Sequence, residues 1–156
     1  TVVRLLGTPD GLWVGVWAFD PRTGTLLVIE VKTRLDDLGA VERQLGWYER
    51  AAWASARELG WEPRRVRSWL LVLASDEVDR VLRANQGYVD AAFPIRAREM
   101  ALALGPAGGP AATGRGLAMI DPSSRGRDWL IRTRLDGRRS PARYLDYADA
   151  ARRSAG

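Results

Sequence analysis

Residues 26–32 read Leu-Leu-Val-Ile-Glu-Val-Lys, apolar at nearly every position and rich in branched side chains. A run that is apolar on both alternating faces predicts a buried central strand. Residues 12–19 form a second strand, with Trp13 and Trp17 on one face and Val14 and Val16 on the other. Between them, Asp20-Pro21-Arg22-Thr23-Gly24 puts Asp first and Pro second, the order a tight turn favours. The two strands are therefore expected to run antiparallel. If Asp20 pairs with Thr25, Gly15 faces Glu30 and Trp13 faces Lys32. Residues 1–6 give a short strand, separated from the second by the turn at residues 7–11.

The period then changes from two to 3.6. Asp36 or Asp37 caps a long helix that runs to about Leu59 and stops at Gly60. Its apolar stripe is Leu38, Val41, Leu45, Ala52, Ala56 and Leu59. Gln44 and Tyr48 stand one turn apart beside that stripe. Residues 63–67 read as a basic connector and residues 69–74 as a buried strand. Ser75 and Asp76 cap a helix that continues to about Ala84. A short strand over 91–95 and a helix over 96–104, carrying Met100, Leu102 and Leu104, complete an alternation that argues for parallel crossover packing. Residues 105–116, rich in Gly, Pro and Ala, mark a connector. A hairpin over 117–120 and 129–134 turns at Asp121-Pro122. A terminal helix starts at Ser140-Pro141 and carries Tyr144, Leu145 and Ala148.

Composition narrows the chemistry. The chain of 156 residues, 46% apolar and 28% charged, is that of a soluble globular protein with a sizeable core. No apolar run reaches the length of a membrane span and no leader pattern opens the chain, so a cytoplasmic location is expected. Thr1 in place of an initiator methionine suits a piece of a longer protein. With no cysteine and no histidine, disulfides, thiolate zinc sites, imidazole-held metals and Ser-His-Asp triads are excluded. Any metal must sit among oxygens, which favours magnesium, manganese or calcium. A net charge of +5 points to a polyanionic partner.

Glu30 and Lys32 share one strand face, and charges on a buried strand are costly unless they pair or act on a ligand. Lys32 is the single lysine among twenty-four basic residues. A compact ammonium there does what a wide guanidinium fork would not. A buried Glu30–Lys32 ion pair is the structural alternative. The seven tryptophans divide likewise: Trp17 and Trp69 suit the core, whereas Trp47 and Trp53 on the long helix suit an exposed patch. Clusters Arg64-Arg65-Arg67, Arg125-Arg127 and Arg138-Arg139 could grip phosphates or simply be solvated.

A hairpin bearing Glu30-Val31-Lys32 on its second strand, then a long helix, a strand and a helix, resembles the PD-(D/E)XK (restriction-endonuclease-like) nuclease superfamily. Residues 25–33 resemble more closely the nuclease-like domain that follows a helix-turn-helix in bacterial transcriptional regulators. Gln44-x-x-x-Tyr48 is similar to an extra motif of RecB-type members. The resemblance covers residues 1–105, a nuclease-like core. Residues 106–156 add the Gly/Pro-rich connector with a C-terminal hairpin and helix that pack on or extend it. It implies an α/β fold, a mixed central sheet with flanking helices. It also implies catalytic roles for Glu30, Lys32, Gln44 and Tyr48, and Mg²⁺ or Mn²⁺ held by Glu30, the Val31 carbonyl and an Asp. The family's Asp falls on Gly15, which leaves Asp10 as the nearest substitute and makes hydrolysis weak or lost, with no cofactor in that case. DNA is the expected partner, gripped by Arg34, Arg43, Arg64 and Arg65. Two alternatives stay open: an active Mg²⁺-dependent DNA endonuclease using Glu30 and Lys32, and a structural or homodimerisation module of a regulator.

Overall fold

The computed structural model describes residues 2–7, 14–105, 114–124, 129–133, 135 and 142–154, residues 2–7 and 14 as backbone only. Strands β1 (Val2–Gly7), β2 (Val14–Asp20) and β3 (Thr25–Lys32) form an antiparallel meander. The β2–β3 register runs from Asp20↔Thr25 to Gly15↔Glu30, as the turn sequence implies. Trp13 lies outside the described residues. The Asp20 carboxylate holds the turn, accepting from the Arg22 amide at 3.1 Å and the Thr23 hydroxyl at 3.0 Å. Gly24 is required twice over. Its φ of 63° is left-handed, and a Cβ there would meet Arg64 Cγ at 2.7 Å.

Helix α1 (Leu38–Glu58) is capped by Asp37, whose side chain accepts from the Ala40 amide at 2.9 Å. It ends at Leu59 and at Gly60, whose φ is 73°. Trp17 and Phe19 of β2 and Leu26 and Val28 of β3 meet Ala52 and Ala56 of α1 and Trp61 beyond it in one core. Phe19 and Trp61 stack with ring centroids 5.5 Å apart. The small alanines let the helix approach the sheet. Each fully buried Leu or Val here contributes about 1.5–3 kcal/mol of transfer free energy.

Strand β4 (Arg65–Leu73) starts within the segment expected to be a basic connector. The amides of Arg64 and Arg65 both donate to the Gly24 carbonyl, so the hairpin turn anchors the strand's first residues whatever their polarity. Ser68, buried in it, donates to the Glu49 carboxylate of α1. Helix α2 (Asp76–Ala84) is capped by Ser75 through the Val78 amide. Residues 91–92, expected in a strand, end a helix α3 (Gln86–Ala92) instead. Val89 and Phe93, four apart and both buried, follow the helical period, and Pro94 stops it. Only β5 (Ile95–Arg96) remains extended before α4 (Ala97–Leu104). Within α4 Met100 is buried, whereas Leu102 and Leu104 are exposed.

Strand β6 (Gly116–Ile120) pairs parallel with β5 and antiparallel with β7 (Leu130–Ile131), so the crossover and the late hairpin are both present. The order β1-β2-β3-β4-β6-β5, with β7 also on β6, makes a mixed sheet in an α/β fold. Helix α5 (Tyr147–Ser154) starts later than expected, and Ser140 and Pro141 lie outside the described residues. Tyr144 precedes it and bridges Ser75 in parallel fashion. The chain divides into two compact units, Thr1–Val31 with Asp37–Leu70, and Lys32–Asp36 with Leu71–Gly156. Among the described residues no helix is long and apolar enough to cross a membrane.

A polar knot ties the segment before α5 to the end of β6 in the second unit. The Tyr144 hydroxyl donates to Asp121 Oδ1 at 2.6 Å, and the Ser123 amide donates to the same oxygen at 2.9 Å. Arg143 Nε stands 3.3 Å from the other carboxylate oxygen. The hydrogen bond to Asp121 is the main reason the Tyr144 phenol is pushed up from its ordinary pKa. Removing that hydroxyl by Tyr144→Phe is expected to lower stability by about 1.5–3 kcal/mol, the range for a bond to a charged group. Urea unfolding measures it, and an unchanged midpoint would show that the knot holds nothing.

Candidate functional site

The alternation that buries Leu26 and Val28 under α1 carries one step further, to Glu30. Gly15 continues the matching row of Trp17 and Phe19 on β2. Glu30 is therefore on the face that α1 covers, and it is 0% exposed. Tyr48 packs against the same core from α1, and Gln44 Nε2 donates to its hydroxyl at 2.9 Å. Burial is the main cause that pushes the Tyr48 phenol up, the negative charge of Glu30 adds to it, and the Gln44 bond opposes both. Gln44 thus bonds Tyr48 one turn on, and Tyr48 lies within electrostatic reach of Glu30.

A working metal site would leave Glu30 reachable by water, yet β3 is an interior strand between β2 and β4 and Glu30 is fully buried. Lys32, two residues on along the same strand, is 9% exposed. Val31, between them, is partly buried and alternates to the other face. Glu30 and Lys32 both take part in electrostatic contacts within the protein. The reason is the reach of the α1 stripe. Nothing in residues 26–32 alone says how far the helix extends over the strand.

The carboxylates do not gather. Glu30 faces Gly15, and the next acid on that hairpin, Asp20, lies five residue pairs away, about 17 Å at strand rise. Asp20 is also committed to its turn, where the Arg22 amide and the Thr23 hydroxyl hydrogen-bond to it. Asp10 lies outside the described residues. Among the described residues no three acids come close enough to hold a metal ion. A buried Glu30 opposite a glycine does not fit the two-carboxylate Mg²⁺ site that the resemblance implies.

The arginines expected on nucleic acid fall in separate places. Arg34 stands 3.5 Å from Glu77 in a cleft also lined by Asp76, Arg80 and Asp146, a mixed-charge setting. Arg43 sits on the solvent side of α1, 3.7 Å from the Asp37 carboxylate. Arg64 and Arg65 are exposed at the β2–β3 turn, held there by Gly24. That turn is at the opposite end of the hairpin from Glu30. Arg67, two residues beyond Arg65, has its guanidinium pKa pushed down by partial burial and by Arg65. Arg125, Arg127, Arg138 and Arg139 lie outside the described residues. Trp17 and Trp69 are buried, and Trp47 and Trp53 are exposed, as their positions implied. The sequence pattern gave no sign of the Glu49–Ser68 bond or the Asp121–Tyr144 knot. Their partners are 19 and 23 residues apart, beyond any local pattern.

Comparison with family models, with curated proteins and with solved structures finds no match to this chain.

The contact between Glu30 and Tyr48 has a measurable sign. With Glu30→Gln the phenol of Tyr48 should titrate closer to its ordinary value, because the charge that opposes phenolate is gone. In the native chain a raised phenol pKa adds stability that is full below about pH 10 and is lost as pH rises through the raised value. Ring-carbon NMR of labelled tyrosine follows the titration. A Tyr48 curve indifferent to Glu30→Gln would separate the two side chains.

Proposed function

We propose that this chain is a nucleic-acid-associated domain on a PD-(D/E)XK-like core that no longer hydrolyses phosphodiesters. One observation carries the reading: Glu30 pairs in register with Gly15 and is sealed from solvent. Hydrolysis by this route needs two carboxylates on one ion, and a water and a phosphate that reach it. Glu30 offers one carboxylate and no access. In this reading Gln44 and Tyr48 hold α1 over β3. Lys32, nearly buried, is a more compact cation than a guanidinium fork would be at that strand position.

The nucleic-acid part rests on charge. The net charge is +5, and Arg50, Arg57, Arg64 and Arg65 are exposed without an ion-pair partner among the described residues. Such a surface attracts phosphates and releases their counterions.

Two measurements test the loss of cleavage. Incubated with plasmid and single-stranded DNA, the chain should give no chelator-sensitive product in Mg²⁺ or Mn²⁺. Its melting temperature should not respond to Mn²⁺. Gly15→Asp should melt lower without metal, because a second carboxylate beside Glu30 is both buried and repelled. Chelator-sensitive cleavage by the unaltered chain would mean that another acid already completes a working site.

A further inference from the structure

The helix that covers Glu30 carries a second, unused face. On α1, Arg43, Trp47, Arg50, Trp53 and Arg57 are all exposed. At 100° per residue they fall within an arc of about 120°, opposite the buried stripe. Trp47 is 59% exposed and Trp53 37%. Arg50 and Arg57 have no ion-pair partner among the described residues, and Arg43 has only the exposed contact with Asp37 at 3.7 Å. A pair so exposed holds little. Glu58 is the one exposed acid on the helix. Beyond α1 the chain passes Trp61, stacked on Phe19, to the exposed Arg64 and Arg65.

We infer that this face of α1 binds single-stranded nucleic acid, with Trp47 stacking on a base and the arginines on either side of it holding phosphates. The inference rests on the nucleic-acid reading above and assigns it a place and a strand class. Three observations select this occupant. First, cations alternate with indoles along the stripe, as a groove that follows a phosphate backbone and stacks its bases requires. Second, the Trp47 ring meets Tyr48 edge-on, centroids 5.4 Å apart at 61°, and Tyr48 is fixed by Gln44. An indole oriented in advance loses little freedom on binding. Third, a two-fold dimer through this stripe would set arginine against arginine with little but Glu58 in answer, whereas a polyanion is complementary. Duplex DNA hides its base faces, so the indoles favour an unpaired strand. From Arg43 to Arg57 the stripe is about 21 Å long, enough to follow about six phosphates at duplex spacing.

Fluorescence anisotropy of labelled oligothymidylate, oligouridylate and a duplex of equal length, with the whole chain as titrant, tests this. Both single strands should bind more tightly than the duplex at equal salt, and their ratio tells DNA from RNA. Trp47→Ala should weaken single-strand binding at least about fivefold, and Trp47→Phe should recover most of it. Arg50→Gln should reduce the slope of log affinity against log salt by about 0.7. Both positions are solvent-facing, and circular dichroism checks that each variant keeps its helix. Binding that persists unchanged in Trp47→Ala and Arg50→Gln would overturn this face while leaving the nucleic-acid reading intact. No binding of any of the three probes at low salt would overturn both. Self-association in the ultracentrifuge that Trp47→Ala abolishes, with no oligonucleotide bound, would assign the face to a second copy instead.

Discussion

Helix α1 lying on the β2–β3 hairpin is the contact on which the rest of the first unit depends. Trp17, Phe19, Leu26 and Val28 present one apolar face, and Ala52 and Ala56 are small enough to bring the helix axis down onto it. Everything on that face then shares one environment, whatever its polarity. Glu30 is drawn under the helix because it is the next residue of the same row, not because burial suits a carboxylate. The same contact fixes the opposite side of the helix in solvent. A buried acid and an exposed Arg/Trp stripe are thus two consequences of one packing event.

A hydrolytic site and a stable core make opposed demands at the end of β3. The first needs clustered carboxylates and water, the second needs neither. With glycine opposite Glu30, the like-charge repulsion that a second acid would bring is absent, and the helix can close over the strand. At this point the chain makes a strand-to-helix joint, in which Tyr48 is hydrogen-bonded by Gln44 and feels the charge of Glu30. Such buried polar groups hold one register against others, since a one-residue slip of β3 would carry Glu30 out and Ile29 in.

The second unit solves a different problem with similar means. In the segment before α5, Tyr144 is buried against Leu73 and Ala150, whereas Leu145 stays exposed. The segment is held by main-chain bonds, Asp76 N to the Tyr144 carbonyl and Glu77 N to the Leu145 carbonyl, together with the Asp121–Tyr144 knot. Those two amides belong to the first turn of α2, which has no intrahelical acceptors for them. A short segment can thus dock where a helix terminus supplies donors.

Local rules were enough for much of this chain. Asp20-Pro21 and Gly24 set the hairpin and with it the Gly15–Glu30 register, because turn geometry fixes pairing within a few residues. Asp37, Gly60 and Ser75 ended or began helices for equally local reasons, through caps made by near neighbours. The four-residue spacing of Gln44 and Tyr48 put them one turn apart. Patterning failed where non-local bonds overrode it. Arg65–Ser68 is strand because the Gly24 carbonyl receives its first amides, and 86–92 is helix because Val89 and Phe93 found a core together. The apolar run around Glu30 implied a buried strand, but how completely its carboxylate is closed off was not written there. It depends on how far a helix begun at Asp37 reaches over the sheet, and only packing between distant segments decides that.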